Sequence, residues 1–418
     1  MENHSRLMIL IDILEEHLEE ADFLWQQRQN ALYDRVYNLN DLAELEERLL
    51  AHLDGLVLGE KEAWKLLGPK LSSGEEGEVF SAAFVALDSR DPSKIDLVNK
   101  TFLEAEDNVL NGICYAFKHT MNQEVENILR SMLNSDNGRI QAASIDCLSL
   151  RRISIDTNRL QAFLSKKDTR IIAATVSAVG RLRINQLSEE AERFLENEIM
   201  EVRREAIKTG LLLGSRKSLD ACRRIIINRT EGADQLIEYL GLMGQPDDAN
   251  ILINTMNDPG LVRNAITALG LLGNISTVEL LIQSASGPKL SRLAGEAISR
   301  ITGVDIVSEK FVAEKTVEPQ IPSSEVEEEE EDLSDPDEDI PFPDVEKLKG
   351  WWRSNASRYD KRVRYRNGQP YSNQVLKKIL KNGNLPARHH AAFEIALLNP
   401  SSPYLETHAF STLQRNYA

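Results

Sequence analysis

The chain has 418 residues, 49 Lys plus Arg against 66 Asp plus Glu, a net charge of −17 at pH 7, and 42% apolar residues. That is enough apolar mass for a sizeable core, and no stretch approaches the roughly 18 uninterrupted apolar residues of a membrane span. An acidic balance of this size argues against a surface that binds nucleic acid as a whole.

The N-terminus, MENHSRLMILIDILEEH, turns acidic where a signal peptide offers a small-residue cleavage site, so a cytoplasmic location is expected. Residues 7–35 place Leu7, Leu10, Ile11, Leu14, Leu18, Ala21, Leu24 and Trp25 on one stripe at steps of three and four, which predicts an amphipathic helix. Asn40-Asp41 is positioned to cap a second helix through LAELEERLLAHLDGL, with Gly55 and Gly59 helping to end it. Residues 1–65 are therefore expected to form an N-terminal helical hairpin cap. Ser73-Gly74 and Asp91-Pro92 punctuate further helices.

From residue 135 to 303 the sequence repeats with a period near 30, the length of two helices and two turns. Arg139, Arg170, Arg203, Arg263 and Arg292 mark the register, and an unmarked unit falls around Gln235–Gly244. Each marked unit trails small residues: RIIAATVSAVG, RREAIKTGLLLG, RNAITALGLLG and RLAGEAISRITG. Gly180, Gly214, Gly273 and Gly303 suit a left-handed residue at a helix end, while Asp168, Pro259 and Pro288 mark helix starts. A helix pair cannot bury its apolar face alone, so the fold class expected is all-α, with residues 66–307 stacked as an α-solenoid. The pattern resembles the short bacterial HEAT-like repeats found in phycobilin lyases and other scaffolds. The repeat arginines are expected either to bond carbonyls or carboxylates of the preceding turn, or to form a ligand-binding ladder on a concave face.

Residues 308–344 carry 15 Asp/Glu against two Lys, a net of −13, and the run EVEEEEEDLSDPDED has almost nothing to bury. An acidic disordered linker is predicted there. Residues 345–418 reverse the sign, with 13 Lys/Arg against four Asp/Glu, and are expected to form a basic C-terminal helical module. Its last part returns to the repeat template at Arg388, with Ala391 and Leu398 in register.

No phosphate loop, dinucleotide fingerprint or nucleophile elbow occurs, and no His-Glu dipeptide of the kind that holds iron in some HEAT-like enzymes. His17 and Glu20 share a helix face, a spacing that serves a metal only when other helices supply matched carboxylates. Cys114, Cys147 and Cys222 are widely spaced and read as reduced core thiols. Neither an enzyme, a cofactor nor a metal site is called for. The unusual chemistry is Trp351, Trp352 and Arg353, followed by Arg362, Arg364, Tyr365 and Arg366. Cations interleaved with aromatics serve a protein-partner surface or a single-stranded nucleic acid, or pack internally with their charges answered inside the chain.

The string EEHLEEADFLWQQR, the segment YNLNDLAELEERLLAHLDGL, and near the other end Arg364-Tyr365 before Gly368-Gln369-Pro370 and Arg388 before AAFEIALLNP carry a family resemblance. They resemble a family of bacterial HEAT-repeat proteins often encoded beside type VI secretion genes. The resemblance covers most of the chain except the acidic insert, and supplies no catalytic residue. It implies a non-enzymatic scaffold or adaptor that binds a protein partner, such as a secretion effector or spike protein. A nucleic-acid-binding solenoid and a phycobilin-lyase-like protein are the alternatives.

Overall fold

The computed structural model describes residues 2–313, 337–399 and 403–415. In chain order its helices are α1 (Glu2–Ala31), α2 (Leu39–Leu58), α3 (Glu60–Ser73), α4 (Glu76–Asp88), α5 (Pro92–Glu104), α6 (Asp107–His119), α7 (Glu124–Met132), α8 (Gly138–Leu150), α9 (Thr157–Leu164), α10 (Thr169–Arg181), α11 (Ser188–Glu192) and α12 (Met200–Leu212). There follow α13 (Arg216–Asn228), α14 (Ala233–Met243), α15 (Ala249–Thr255), α16 (Val262–Leu272), α17 (Val278–Ser284), α18 (Ser291–Thr302), α19 (Val345–Asn355), α20 (Asn373–Asn382), α21 (Leu385–Leu398) and α22 (Ser411–Arg415). Among the described residues one small antiparallel ribbon, β1 (Tyr365–Arg366) with β2 (Gln369–Pro370), departs from an all-α fold. No helix among them is long and apolar enough to cross a membrane.

The chain divides into two compact units, Met1–Gly214 with Ile379–Ala418, and Ser215–Lys378. In the first, α1 packs on α2 and α4, α4 on α6, α8 on α10, α10 on α12, and the C-terminal α21 and α22 return to α12 and α2. In the second, α14, α16 and α18 lie side by side, with α13, α15 and α17 beside them. Within each unit, α8, α10 and α12 in the first and α14, α16 and α18 in the second thus meet in succession. The stretch 345–418, expected as one module, is shared between the two units, because each half buries its apolar residues on different helices.

Local chemistry explains the elements. In α2, Leu42, Leu45, Leu49, Leu53 and Leu56 recur at three and four and are all buried. The cap of α2 lies two residues earlier than expected: Asn38 accepts from the Asn40 and Asp41 amides while Asp41 bonds back to the Asn38 amide. Asp168 caps α10 as its sequence position suggests. Gly214, Gly273 and Gly303 take the expected left-handed conformation. Gly180 and Gly55 do not; they lie inside helices, where an added Cβ would come within 2.6 Å of Thr209 Oγ1 and 2.8 Å of His17 Nε2 respectively. Their role is close approach, not helix termination.

The acidic stretch 308–344 needs a second correction. Residues 314–336, where disorder is expected, lie outside the described residues. The segments on either side pair with each other: the Ala313 amide donates to the Phe342 carbonyl at 2.9 Å and the Asp344 amide to Phe311 at 2.6 Å. The stretch is therefore an insert closed at its base, and not a spacer between separated domains.

Candidate functional site

The basic aromatic stretch expected as a partner surface is mostly interior. Trp352 is buried, Trp351 half-buried, and of the seven residues only Arg353 and Arg362 are exposed. Arg362 folds back onto Asp360, Nη2 to Oδ2 at 2.8 Å. Arg364 lies over the Tyr371 ring at 3.9 Å and donates from Nη2 to the Leu271 carbonyl at 2.8 Å and to Gly241 at 3.3 Å. Buried Arg366 donates to Leu271 at 2.8 Å and Gly270 at 3.4 Å. Tyr365 is buried too, and its amide bonds the Gly273 carbonyl. The amides of Asn367 and Gly368 reach Arg300 and Ile301. These carbonyls belong to the last turns of α14, α16 and α18, which have no intrahelical donor and carry partial negative charge. Arg364, Tyr365 and Arg366 thus terminate helices, which corrects their assignment to a partner surface.

Five repeat arginines sit in or near the first turn of their helices. Arg170 binds both oxygens of the N-cap carboxylate of Asp168 through Nε and Nη2, and Arg203 donates to the Asn197 carbonyl at 2.8 Å, as expected of contacts to the preceding turn. Arg139 instead reaches Glu106 at 3.2 Å. Arg263 and Arg292 hold the far side of the acidic insert, through the buried Asp337 carboxylate at 2.7 Å and the Glu338 and Ile340 carbonyls. Arg388 differs: its guanidinium is fully buried, donates to Gln414 Oε1 at 2.8 Å, and leaves Nε and Nη1 without an acceptor. Burial lowers its pKa to about 10.

A cavity of about 640 Å³ lies in the unit formed by Met1–Gly214 and Ile379–Ala418. Four separated stretches wall it: the end of α6 and the turn after it (Lys118, Thr120, Met121), the edge of α7 (Gln123, Glu126, Asn127), the end of α8 (Leu150–Ile153), and the C-terminal segment (Leu405, Glu406, Ala409, Leu413). Its size falls within the range of small-ligand sites, about 300–1,000 Å³. No sequence motif announces it. A usable signal exists in Arg151-Arg152 after α8 and Arg181-Leu182-Arg183 at the end of α10, where arginines recur at helix ends and Arg152 and Arg183 adopt positive φ. Arg183 donates to the Ala396 carbonyl at 2.6 Å, and Arg152 to that of Tyr404.

Behind one wall runs a chain of alternating charges. Lys118 Nζ lies 2.7 Å from Asp146, Asp146 also binds Arg181, Arg181 Nε lies 3.5 Å from Glu406, and Glu406 meets His408 Nδ1 at 3.0 Å. Burial opposes the charges of Lys118, Asp146, Arg181 and Glu406, yet the neighbours prevail. Asp146 is held below the usual carboxylate range by Lys118 and Arg181, Glu406 by His408 and Arg181, and Lys118 is held above its ordinary value by Asp146. Glu126 is paired with Arg130 at 2.8 Å.

Arg151 stands outside this compensation. Its Nη1 donates to the carbonyls of Phe117 at 2.7 Å and Thr120 at 2.8 Å, the last acceptors of α6 and the turn beyond. Its Nε is buried without an acceptor, and among the described residues no carboxylate lies within ion-pair distance. Burial lowers its pKa, and Glu126 acts in the opposite direction. The cavity thus combines a half-buried guanidinium, two rim amides and an apolar floor, which is an arrangement for binding.

No protein-family model matches the chain, and neither does any curated protein.

Elsewhere, His17 Nδ1 lies 3.0 Å from His52 Nδ1. Among the described residues no group of three or more His, Cys, Asp or Glu is placed to share a metal. The three cysteines are buried and unpaired as thiols.

Proposed function

We propose that this chain is a non-enzymatic HEAT-like α-solenoid that binds a protein partner in the cytoplasm, as a scaffold or adaptor of type VI secretion that loads an effector or spike protein. The observation that carries the reading is the lateral packing of α8, α10 and α12, and of α14, α16 and α18, one period apart in sequence. Such stacking extends a surface without using it up, and solenoids characteristically employ that surface for partners. The secretion assignment rests on the resemblance at both ends of the chain. It is supported by the buried positions that Trp25, Arg28, Tyr365 and Arg388 of those motifs occupy.

The test is a tagged copy expressed in its native host. Secretion components are expected to co-purify in stoichiometric amounts, and deletion of the gene to impair secretion. Recovery of none, with secretion intact in the deletion strain, overturns the proposal.

A further inference from the structure

We propose that the cavity between α6, α7, the end of α8 and the C-terminal segment receives the C-terminal carboxylate of a partner polypeptide that ends in an apolar residue. The inference rests on the protein-partner reading above and assigns it a site.

Three features point to this occupant. The first is charge. Lys118, Asp146, Arg181 and Glu406 answer one another, and Glu126 answers Arg130, so Arg151 is a cation lining the cavity whose counter-ion the described residues do not supply. A guanidinium removed from water without an anion is costly, and a carboxylate brought to it is correspondingly favoured. The second is geometry. Phe117 and Thr120 occupy Nη1 and Nε is enclosed, which leaves Nη2 to donate a charge-assisted hydrogen bond to a carboxylate oxygen. The third is the lining. Leu150, Ile153, Leu405, Ala409 and Leu413 suit an apolar terminal side chain. Gln123 and Asn127, exposed and four residues apart on the α7 edge, offer amides to a peptide main chain. A free fatty acid has no use for those amides.

The full chain is titrated with a library of synthetic peptides whose four C-terminal residues are randomised, each made as the free acid and as the C-terminal amide, and with decanoate. Free acids ending in an apolar residue are expected to be selected, and amidation of those selected to weaken binding tenfold or more. Arg151→Gln is expected to abolish the selection. Because Arg151 also holds the end of α6, Asn127→Glu serves as the second variant. It changes an exposed side chain, is expected to leave thermal unfolding unchanged, and is expected to weaken the free acids at least fivefold by placing an anion on the lining. Equal binding of acids and amides, or no selection from the library, overturns the assignment. Decanoate binding as tightly as the best peptide overturns it in favour of free amphipathic acids. A partner captured in the host and still bound by both variants overturns this site while leaving the scaffold reading standing.

Discussion

Arg28 and Glu46 form an ion pair in which both side chains are almost fully buried, Arg28 Nε donating to Glu46 Oε1 at 2.8 Å. Their remaining atoms fasten the end of the chain: Arg28 Nη2 donates to the His408 carbonyl at 2.9 Å, and Glu46 Oε2 accepts from the Ser411 amide at 2.7 Å. The Trp25 and Phe410 rings flank the guanidinium at 5.5 and 4.8 Å from their centroids. This pair therefore positions Ala409 and Leu413, which form part of the cavity floor.

Removing one member leaves the other charge buried and alone, which costs about 3–5 kcal/mol, whereas replacing both by apolar residues costs much less. Glu46→Ala is accordingly expected to lower stability by that amount and to speed hydrogen exchange in residues 403–415. The double variant Arg28→Met with Glu46→Leu is expected to recover most of the loss. Urea unfolding of the two variants checks this, and equal loss in both contradicts it.

Acid is expected to destabilise the protein well above the usual carboxylate range. His119 is buried and held well below 6.5 by burial and then by Arg28, and His389 is lowered to about 3 by burial and then by His408. His389 lies 2.7 Å from the Leu32 carbonyl through Nε2 and 2.6 Å from Thr407 Oγ1 through Nδ1, partners that suit a neutral ring. The unfolded chain takes up a proton on each histidine near pH 6.5 and the folded chain does not. Their contribution is therefore complete above 6.5 and is lost as pH falls towards about 3 for His389, by about 1.4 kcal/mol per pH unit for each histidine. Urea midpoints at pH 7, 6 and 5 are expected to decline steadily, and less steeply in His389→Gln. A flat profile over that range contradicts the account. Asp146 and Glu406, both depressed, add a further loss below about pH 4.5.

Two glycine-to-alanine changes in helices are expected to act in opposite directions. At Gly180 a Cβ would meet Thr209 Oγ1 at 2.6 Å, and that hydroxyl bonds the Val176 carbonyl at 2.8 Å across the α10–α12 contact. Gly180→Ala is expected to cost about 1–3 kcal/mol through overpacking. At Gly350, inside α19, nothing lies within 4 Å of the added Cβ, so Gly350→Ala is expected to stabilise by about 0.5–1 kcal/mol through helix propensity. Thermal unfolding distinguishes them, and the same sign for both would contradict the close-approach role of Gly180.

The helices themselves were readable from the chain. Leu42, Leu45, Leu49, Leu53 and Leu56 declare a buried stripe within one helix, and Asp168 declares its cap, because both signals are complete within a few residues. Boundaries were less certain for the same local reason: Asn38 and Asn40 are both acceptable caps by residue type, and the backbone geometry chose Asn38.

The basic stretch and the cavity lay beyond that reach. Nothing in the sequence around Arg364 and Arg366 names Gly270 and Leu271 as their acceptors, since a helix end offers carbonyls whatever its side chains are. The same holds for Arg151, whose isolation follows from the carboxylates of Asp146, Glu406 and Glu126 each having met another partner. Periodicity is a property of neighbouring residues and survives in one dimension. Charge compensation and enclosure depend on which distant segments converge, and for this chain they arise when residues 403–415 close over α6, α7 and α8.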